Sequence, residues 1–169
     1  LFRFSNGSAS VMVSTDLGSR GLDIPDIENI IHYHLPDTRE AYVHRVGRSA
    51  RWDKKGRTFF LLNDSEQIPE YVEADVANYI IPDIAENKVP MPKMSTLYIG
   101  KGKKDKISKG DVVGFLCKTG NLKSADIGRI DVRDYYTYVA VAREQFKQVI
   151  QRTKGQKIKG HKTVIEEIR

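Results

Sequence analysis

The densest chemistry in the sequence lies in His44-Arg45-Val46-Gly47-Arg48-Ser49-Ala50-Arg51. Arg48 and Arg51 are three residues apart, so on a helical turn their guanidinium groups project to one side. Two converging guanidiniums carry fixed charge and planar pairs of donors, which suits phosphate oxygens. No carboxylate stands between them, so their partner comes from elsewhere. The competing reading is a solvated basic helix end, and periodicity alone favours it. Upstream runs Ser14-Thr15-Asp16-Leu17-Gly18-Ser19-Arg20-Gly21-Leu22-Asp23. A loop of this kind after a strand offers a hydroxyl and backbone N–H groups to a phosphate, and Asp23 can accept from a sugar hydroxyl. Taken alone, Gly and Asp in such a loop are equally explained by turn conformation.

A second set of residues points to nucleic acid. Tyr136 and Tyr138 stand two apart on one strand face, and Tyr98 lies on an earlier strand. Open tyrosines stack on bases for ~1–3 kcal/mol each, although tyrosine is also an ordinary strand former. Lys101, Lys103, Lys104, Lys106 and Lys109 crowd one loop, and Lys154, Lys157, Lys159 and Lys162 crowd another. With Asp105 as the one acid counted among them, they favour a phosphate-backbone partner over plain solvation.

The elements that must position these residues fall in two parts of opposite charge. Of the 169 residues, 1–92 carry a net charge of −4 and 93–169 a net charge of +10, which gives the chain its +6. Pro82, Pro90 and Pro92 predict an extended linker at 81–93, between a domain at 1–80 and another at 94–169. In the first, 10–14, 28–33 and 57–62 read as short buried strands, 38–46 as a helix capped by Thr38, and 65–79 as a second helix. Strand and helix in alternation predict an α/β layer with a parallel sheet, too small to cover both its faces. That, with Leu1 where a start methionine would stand, leads us to expect a piece of a longer chain. In the second domain, strands at 94–100, 126–132, 136–142 and 161–168 alternate with helices at 109–118 and 143–153. The order βαββαβ is a ferredoxin-like split βαβ, which by itself implies no function. One cysteine, Cys117, excludes a disulfide framework and a cysteine-based zinc site, and no metal site is expected. No apolar run approaches the ~20 residues of a membrane span. We expect a cytoplasmic protein with no membrane partner.

The two motifs Thr-Asp-Leu-Gly-Ser-Arg-Gly-Leu-Asp-Ile and His-Arg-Val-Gly-Arg-Ser-Ala-Arg, in this order, resemble motifs V and VI of DEAD-box RNA helicases. Ile30-Ile31-His32-Tyr33-His34-Leu35-Pro36 resembles the strand between them, and the resemblance covers residues 1–64. It implies the C-terminal portion of a RecA-like lobe 2. Carried over, Arg48 and Arg51 are the arginines that reach the γ-phosphate, a role worth 10³–10⁵ in rate in related systems. His44 couples the nucleotide site to the other lobe, Asp23 contacts the ribose, and Thr15, Arg20 and Gly21 grip or brace RNA. Ser49-Ala50 departs from the usual Thr-Gly, and Gly18-Ser19 from the usual small pair. No Gly-Lys-Thr loop or Asp-Glu-Ala-Asp occurs, so the main ligands of ATP and Mg²⁺ are assigned to an absent lobe 1 and these residues alone are expected not to hydrolyse ATP.

Residues 94–169 resemble the C-terminal RNA-binding domain of the DbpA subfamily of bacterial DEAD-box helicases. The resemblance rests on Gly-Lys-Lys-Asp-Lys-Ile, Gly110-Asp111-Val112-Val113-Gly114, Ala125-Asp126-Ile127-Gly128-Arg129-Ile130, Tyr138-Val139-Ala140-Val141 and Lys157-Ile158-Lys159-Gly160. It implies an RRM-like domain tethering an ATP-driven helicase to structured RNA, with ribosomal RNA in large-subunit assembly as the substrate. Two other classes compete. One is a non-catalytic RNA-binding adaptor or RNA chaperone with a vestigial helicase lobe. The other is a DNA-translocating relative, against which His44 and the RRM-like tail count.

Overall fold

In a computed structural model, which describes residues 1–16, 24, 27–48, 56–83 and 90–168, the chain divides into Val13–Lys88 and a second unit made of Leu1–Met12 with Val89–Arg169. The first twelve residues, read from sequence as part of the first domain, therefore pack with the second.

In the first unit, β1 (Asn29–His32) pairs in parallel with β2 (Arg57–Phe60), register Asn29↔Arg57 to His32↔Phe60. The α-helix of this unit (Arg39–Val46) follows β1, and the Thr38 hydroxyl caps it by accepting from the Ala41 amide. The helix labels used below run in chain order: α1 is Phe2–Ser5 and α2 is Arg39–Val46. Two expected elements are not formed. Residues 11–15 are neither strand nor helix, and Val11 and Val13 are exposed. A strand needs a neighbour to take its amides and carbonyls, and among the described residues none pairs there. The expected helix at 65–79 is an irregular segment of turns. Pro69 explains this, because in a helix begun at Ser65 it lacks the N–H and its ring collides with the Ser65 carbonyl. The segment is anchored by aromatic contacts instead. Tyr71 meets Tyr42 at 5.9 Å between ring centres and donates its hydroxyl to the Pro36 carbonyl, and Tyr79 meets Phe59 at 5.2 Å. Strand β2 is also shorter than expected, with Leu61 and Leu62 beyond its end and exposed.

The second unit carries an antiparallel sheet in the order β4-β5-β3-β8, from β3 (Met94–Ile99), β4 (Ile127–Val132), β5 (Thr137–Ala142) and β8 (Ile165–Ile168). Helices α3 (Lys109–Lys118) and α4 (Arg143–Thr153) cover one face. The alternation along β3 and β5 turns Leu97, Ile99, Val139 and Val141 toward Val112, Phe115 and Leu116 of α3 and Phe146 and Val149 of α4. This is the split βαβ expected from sequence, with one difference. The expected last strand, 161–168, is two short ones, β7 (His161–Lys162) and β8, and β7 pairs back onto β6 (Lys157–Ile158) across a turn at Lys159 (φ 49°) and Gly160 (φ 80°).

Candidate functional site

In the first unit, the α2 helix delivers His44, Arg45 and, just past its Gly47 cap, Arg48. The Arg45 guanidinium grips the Asp16 carboxylate with two bonds, Nε to Oδ1 at 2.5 Å and Nη2 to Oδ2 at 2.6 Å. Its Nη1 also donates to the His34 carbonyl at 2.9 Å and to His32 Nδ1 at 3.1 Å. One side chain thus ties the loop bearing Thr15 and Asp16 to β1 and to the helix that ends in Arg48. His32 is buried and stacks on Phe60 at 4.8 Å. A guanidinium can only donate, so His32 accepts at Nδ1 and carries its proton on Nε2. Burial, then the adjacent Arg45 charge, lowers the His32 pKa to about 4, against a smaller opposing effect of Asp16. Asp16, in turn, is the first cause of the raised Arg45 pKa.

His44 is exposed at the end of α2, Thr15 is exposed in its loop, and Arg48 is half-buried. Arg20, Gly21, Asp23 and Arg51 lie outside the described residues. Asp16, Arg45 and His32 were missed as site residues from sequence. Asp16 and Arg45 sat inside the two quoted motifs, but a pair 29 positions apart leaves no trace in periodicity. Among the described residues no group of three or more His, Cys, Asp or Glu side chains converges to hold a metal ion.

In the second unit, Tyr98, Tyr136 and Tyr138 gather on the sheet face away from the helices. Ring centres lie 4.9 Å apart for Tyr136 and Tyr138 and 5.9 Å for each with Tyr98. Burial, with the two neighbouring phenols, raises the Tyr138 pKa. The register sets Asp131 beside Tyr138 and Glu166 beside Tyr98, so acid flanks both ends of this row. The face is also partly covered from within the unit. The Phe2 ring meets Tyr138 at 4.7 Å, Asn6 donates to the Thr96 hydroxyl at 2.9 Å, and the Ser8 hydroxyl lies 2.6 Å from it.

The first lysine loop is pinned to the β4–β5 turn, where Lys103 and Lys104 amides donate to the Arg133 and Asp134 carbonyls, both at 2.8 Å. Gly102 permits this approach, since a Cβ there would sit 2.2 Å from the Arg133 oxygen. Lys101 pairs with Asp105 at 2.8 Å, and that bond comes first among the causes lowering the Asp105 pKa. The count of acids near the lysines needs correcting, because Asp111 also takes one. Lys159 Nζ binds Asp111 Oδ2 at 3.0 Å and the Lys106 carbonyl at 2.8 Å, which joins the second lysine cluster to the first. The Ser108 hydroxyl and amide, then Lys159, lower the Asp111 pKa to about 2. Lys103, Lys104, Lys106, Lys109, Lys154, Lys157 and Lys162 are exposed and make no ion pair among the described residues.

Residues 1–53 match the helicase conserved C-terminal domain, and residues 96–167 match the DbpA RNA binding domain. The chain is 36% identical over 165 residues to the ATP-dependent RNA helicase DbpA of Escherichia coli strain K12, covering 95% of this chain and 36% of that protein. It is 30% identical over 184 residues to the ATP-dependent RNA helicase DbpA of Bacillus subtilis strain 168, covering 93% of this chain and 38% of that one. A shorter likeness, 50% over 64 residues, links it to the ATP-dependent RNA helicase mak-5 of Neurospora crassa, covering 38% of this chain and 8% of that protein. The chain spans little more than a third of the two DbpA proteins. Both matched domains stand in the order that the arginine motif and the basic split βαβ unit suggested: the chain joins a helicase conserved C-terminal domain to a DbpA RNA binding domain, and over nearly its whole length it is similar to DbpA RNA helicases.

Proposed function

We propose that the whole protein is an ATP-dependent RNA helicase that separates short RNA duplexes, with this chain supplying part of lobe 2 and the domain that holds the enzyme on its RNA. The observation that carries the reading is the pairing, in one chain, of a helicase C-terminal match with a DbpA RNA-binding match. We assign 1–80 to the lobe, 81–93 to a linker and 94–169 to the RNA-binding domain.

The chemistry of the donor set fits a nucleotide. Arg48 follows directly on a helix end that Arg45 fixes through Asp16 and His34, so its guanidinium is offered from a braced backbone. In the proposal Arg48 and Arg51 meet the γ-phosphate oxygens, Asp23 accepts from the ribose, and His44 faces the opposing lobe. Bound ATP supplies the phosphoanhydride whose cleavage drives the cycle. The arginines' fixed charge stabilises what develops on the transferred group. Mg²⁺ falls to lobe 1, since its carboxylate ligands have no counterpart among the motifs of this chain. Thr15, Arg20 and Gly21 hold the RNA backbone, and the Asp16–Arg45 link joins that loop to Arg48. The RNA-binding domain grips RNA through the exposed lysines. Its target in the proposal is structured ribosomal RNA during large-subunit assembly, in the cytoplasm.

Arg48→Ala in the full-length protein tests this. RNA-stimulated ATP hydrolysis falls at least ~10³-fold while binding of a hairpin RNA is unchanged. Near-normal turnover removes Arg48 from its role.

A further inference from the structure

The sheet of the second unit has its helices on one face, and the other face of such a sheet ordinarily meets solvent. Thr96 and Ala140 stand opposite each other on that second face, in register beside Tyr98 and Tyr138, yet they are 1% and 0% exposed. What covers Thr96 is the start of the chain, whose Asn6 and Ser8 are buried with it. The Asn6 Oδ1 accepts from the Ser8 amide at 3.0 Å and from the Ser8 hydroxyl at 2.7 Å. With its one proton so used, the Ser8 oxygen accepts from the Thr96 hydroxyl at 2.6 Å, and Thr96 accepts from Asn6 Nδ2 at 2.9 Å. Three buried polar side chains thus close a ring in which each one both donates and accepts. A broken bond in such a place costs more than a made one contributes, so the ring holds the segment in one position.

The segment and the face fit each other. Gly7 (φ 78°) turns the chain, and the Ser8 and Ala9 amides both return to the Arg3 carbonyl, at 2.8 and 2.9 Å. That φ suits glycine and strains other residues. Phe2 and Asn6 stand four apart, on one side of α1 and ~6 Å from each other along its axis. Their partners Tyr138 and Thr96 are diagonal neighbours across β3 and β5, ~7–8 Å apart. Gly128 keeps its own place on the face clear, since a Cβ there would lie 2.8 Å from Met94 Cε and 3.2 Å from Ala140 Cβ.

We propose that this face is an intramolecular docking site whose occupant is residues 2–8, recognised by an aromatic ring and an Asn-Gly-Ser turn, and that it latches the start of the helicase match, residues 1–53, to the RNA-binding domain. The latch requires nothing of the RNA that the domain binds. Hydrogen exchange in the full-length protein, followed by mass spectrometry, tests it. Thr96→Val keeps the shape of the side chain and removes the hydroxyl. Exchange across residues 5–9 then rises at least ~10-fold while α3 and α4 stay protected. Thr96→Ser, which keeps the hydroxyl, protects residues 5–9 as the wild type does. Phe2→Ala raises the same exchange by less, about 3-fold. If Thr96→Val leaves residues 5–9 unchanged, they are held elsewhere and the proposal is overturned. If exchange rises equally in α3 and α4, Thr96 serves the fold and not a docked segment, which overturns it too.

Discussion

The lysine loops of the second unit ride on twelve buried apolar side chains, from Leu97 on β3 to Val149 on α4 and Ile158 on β6. Arg48 in the first unit has no such bed. Among the described residues there, Ile24 is the one large apolar side chain that is buried, while Val13, Ile31, Ile80 and Ile81 are exposed. What positions Arg48 is a charged contact, Arg45 on Asp16, with His32 and the His34 carbonyl completing the fork. The difference separates two jobs. Apolar burial is non-directional and supplies stability, whereas a bidentate guanidinium–carboxylate pair is directional and supplies aim. With ring contacts such as Tyr42 on Tyr71 and Phe59 on Tyr79 but little apolar burial among its described residues, the first unit is expected to unfold before the second.

The hardest way to break that comparison is at Leu116, which is fully buried on α3. Leu116→Ala removes apolar contact and leaves a cavity, at a cost of about 2–5 kcal/mol to the second unit. Hydrogen exchange followed by mass spectrometry then shows protection lost in β3, β5 and α4 and unchanged in β1 and α2. Equal loss in α2 means that the two units unfold as one and that the comparison is wrong.

Acid sharpens it with a smaller effect. The folded first unit holds His32 neutral down to about pH 4, but the unfolded chain takes a proton near the ordinary 6.5. Stability from this group is therefore full above 6.5 and declines as pH falls toward 4. In the second unit the Asp111 pKa is lowered as well, but in a more acid window, from an ordinary 3.8 to about 2, so its contribution is full above 3.8 and is lost only below it. Between pH 6.5 and 4.5 the first unit weakens and the second holds. Urea melts read by exchange at the two pH values check this. In His32→Leu, which cannot be protonated, the first unit loses much of its pH dependence.

The same contrast decides what could be read from sequence. The four strands and two helices of the second unit were legible because its core closes within some 75 consecutive residues, and each apolar period meets its partner locally. The Ser108 cap on α3 and the Thr38 cap on α2 were legible for the same reason, being bonds across three residues. The first unit was legible only where a cap or a strand pair is local. Residues 10–14 have strand composition but pair with no strand among the described residues, and Pro69 outweighs a helical pattern at 65–79. Site residues divide likewise. Tyr136 and Tyr138 were placed on one face by strand alternation, while Tyr98 reaches them across the sheet and Asp16, Arg45 and His32 are joined only by tertiary approach. The loop before residue 161 was legible from its glycines, but the two-residue pairing of β6 with β7 across Lys159 and Gly160 was not, being too short to show an alternation.

The smallest difference lies in those two caps. Either cap serine or threonine changed to alanine costs about 0.5–2 kcal/mol. Thr38 makes a single exposed bond, to the Ala41 amide at 3.2 Å. Ser108 instead shares a reciprocal box with Asp111. The Ser108 hydroxyl accepts from the Asp111 amide at 3.2 Å, and the Asp111 carboxylate accepts from the Ser108 amide at 2.8 Å and its hydroxyl at 2.7 Å. The same carboxylate oxygen holds Lys159 and with it the β6–β7 tip. Thr38→Ala therefore falls at the low end of that range and loosens α2 alone. Ser108→Ala falls at the high end and raises exchange both at the start of α3 and across residues 157–162. Equal costs, or exchange at 157–162 that does not move, would mean that the hairpin is held by Ile158 in the core, and that charge does no positioning in the second unit.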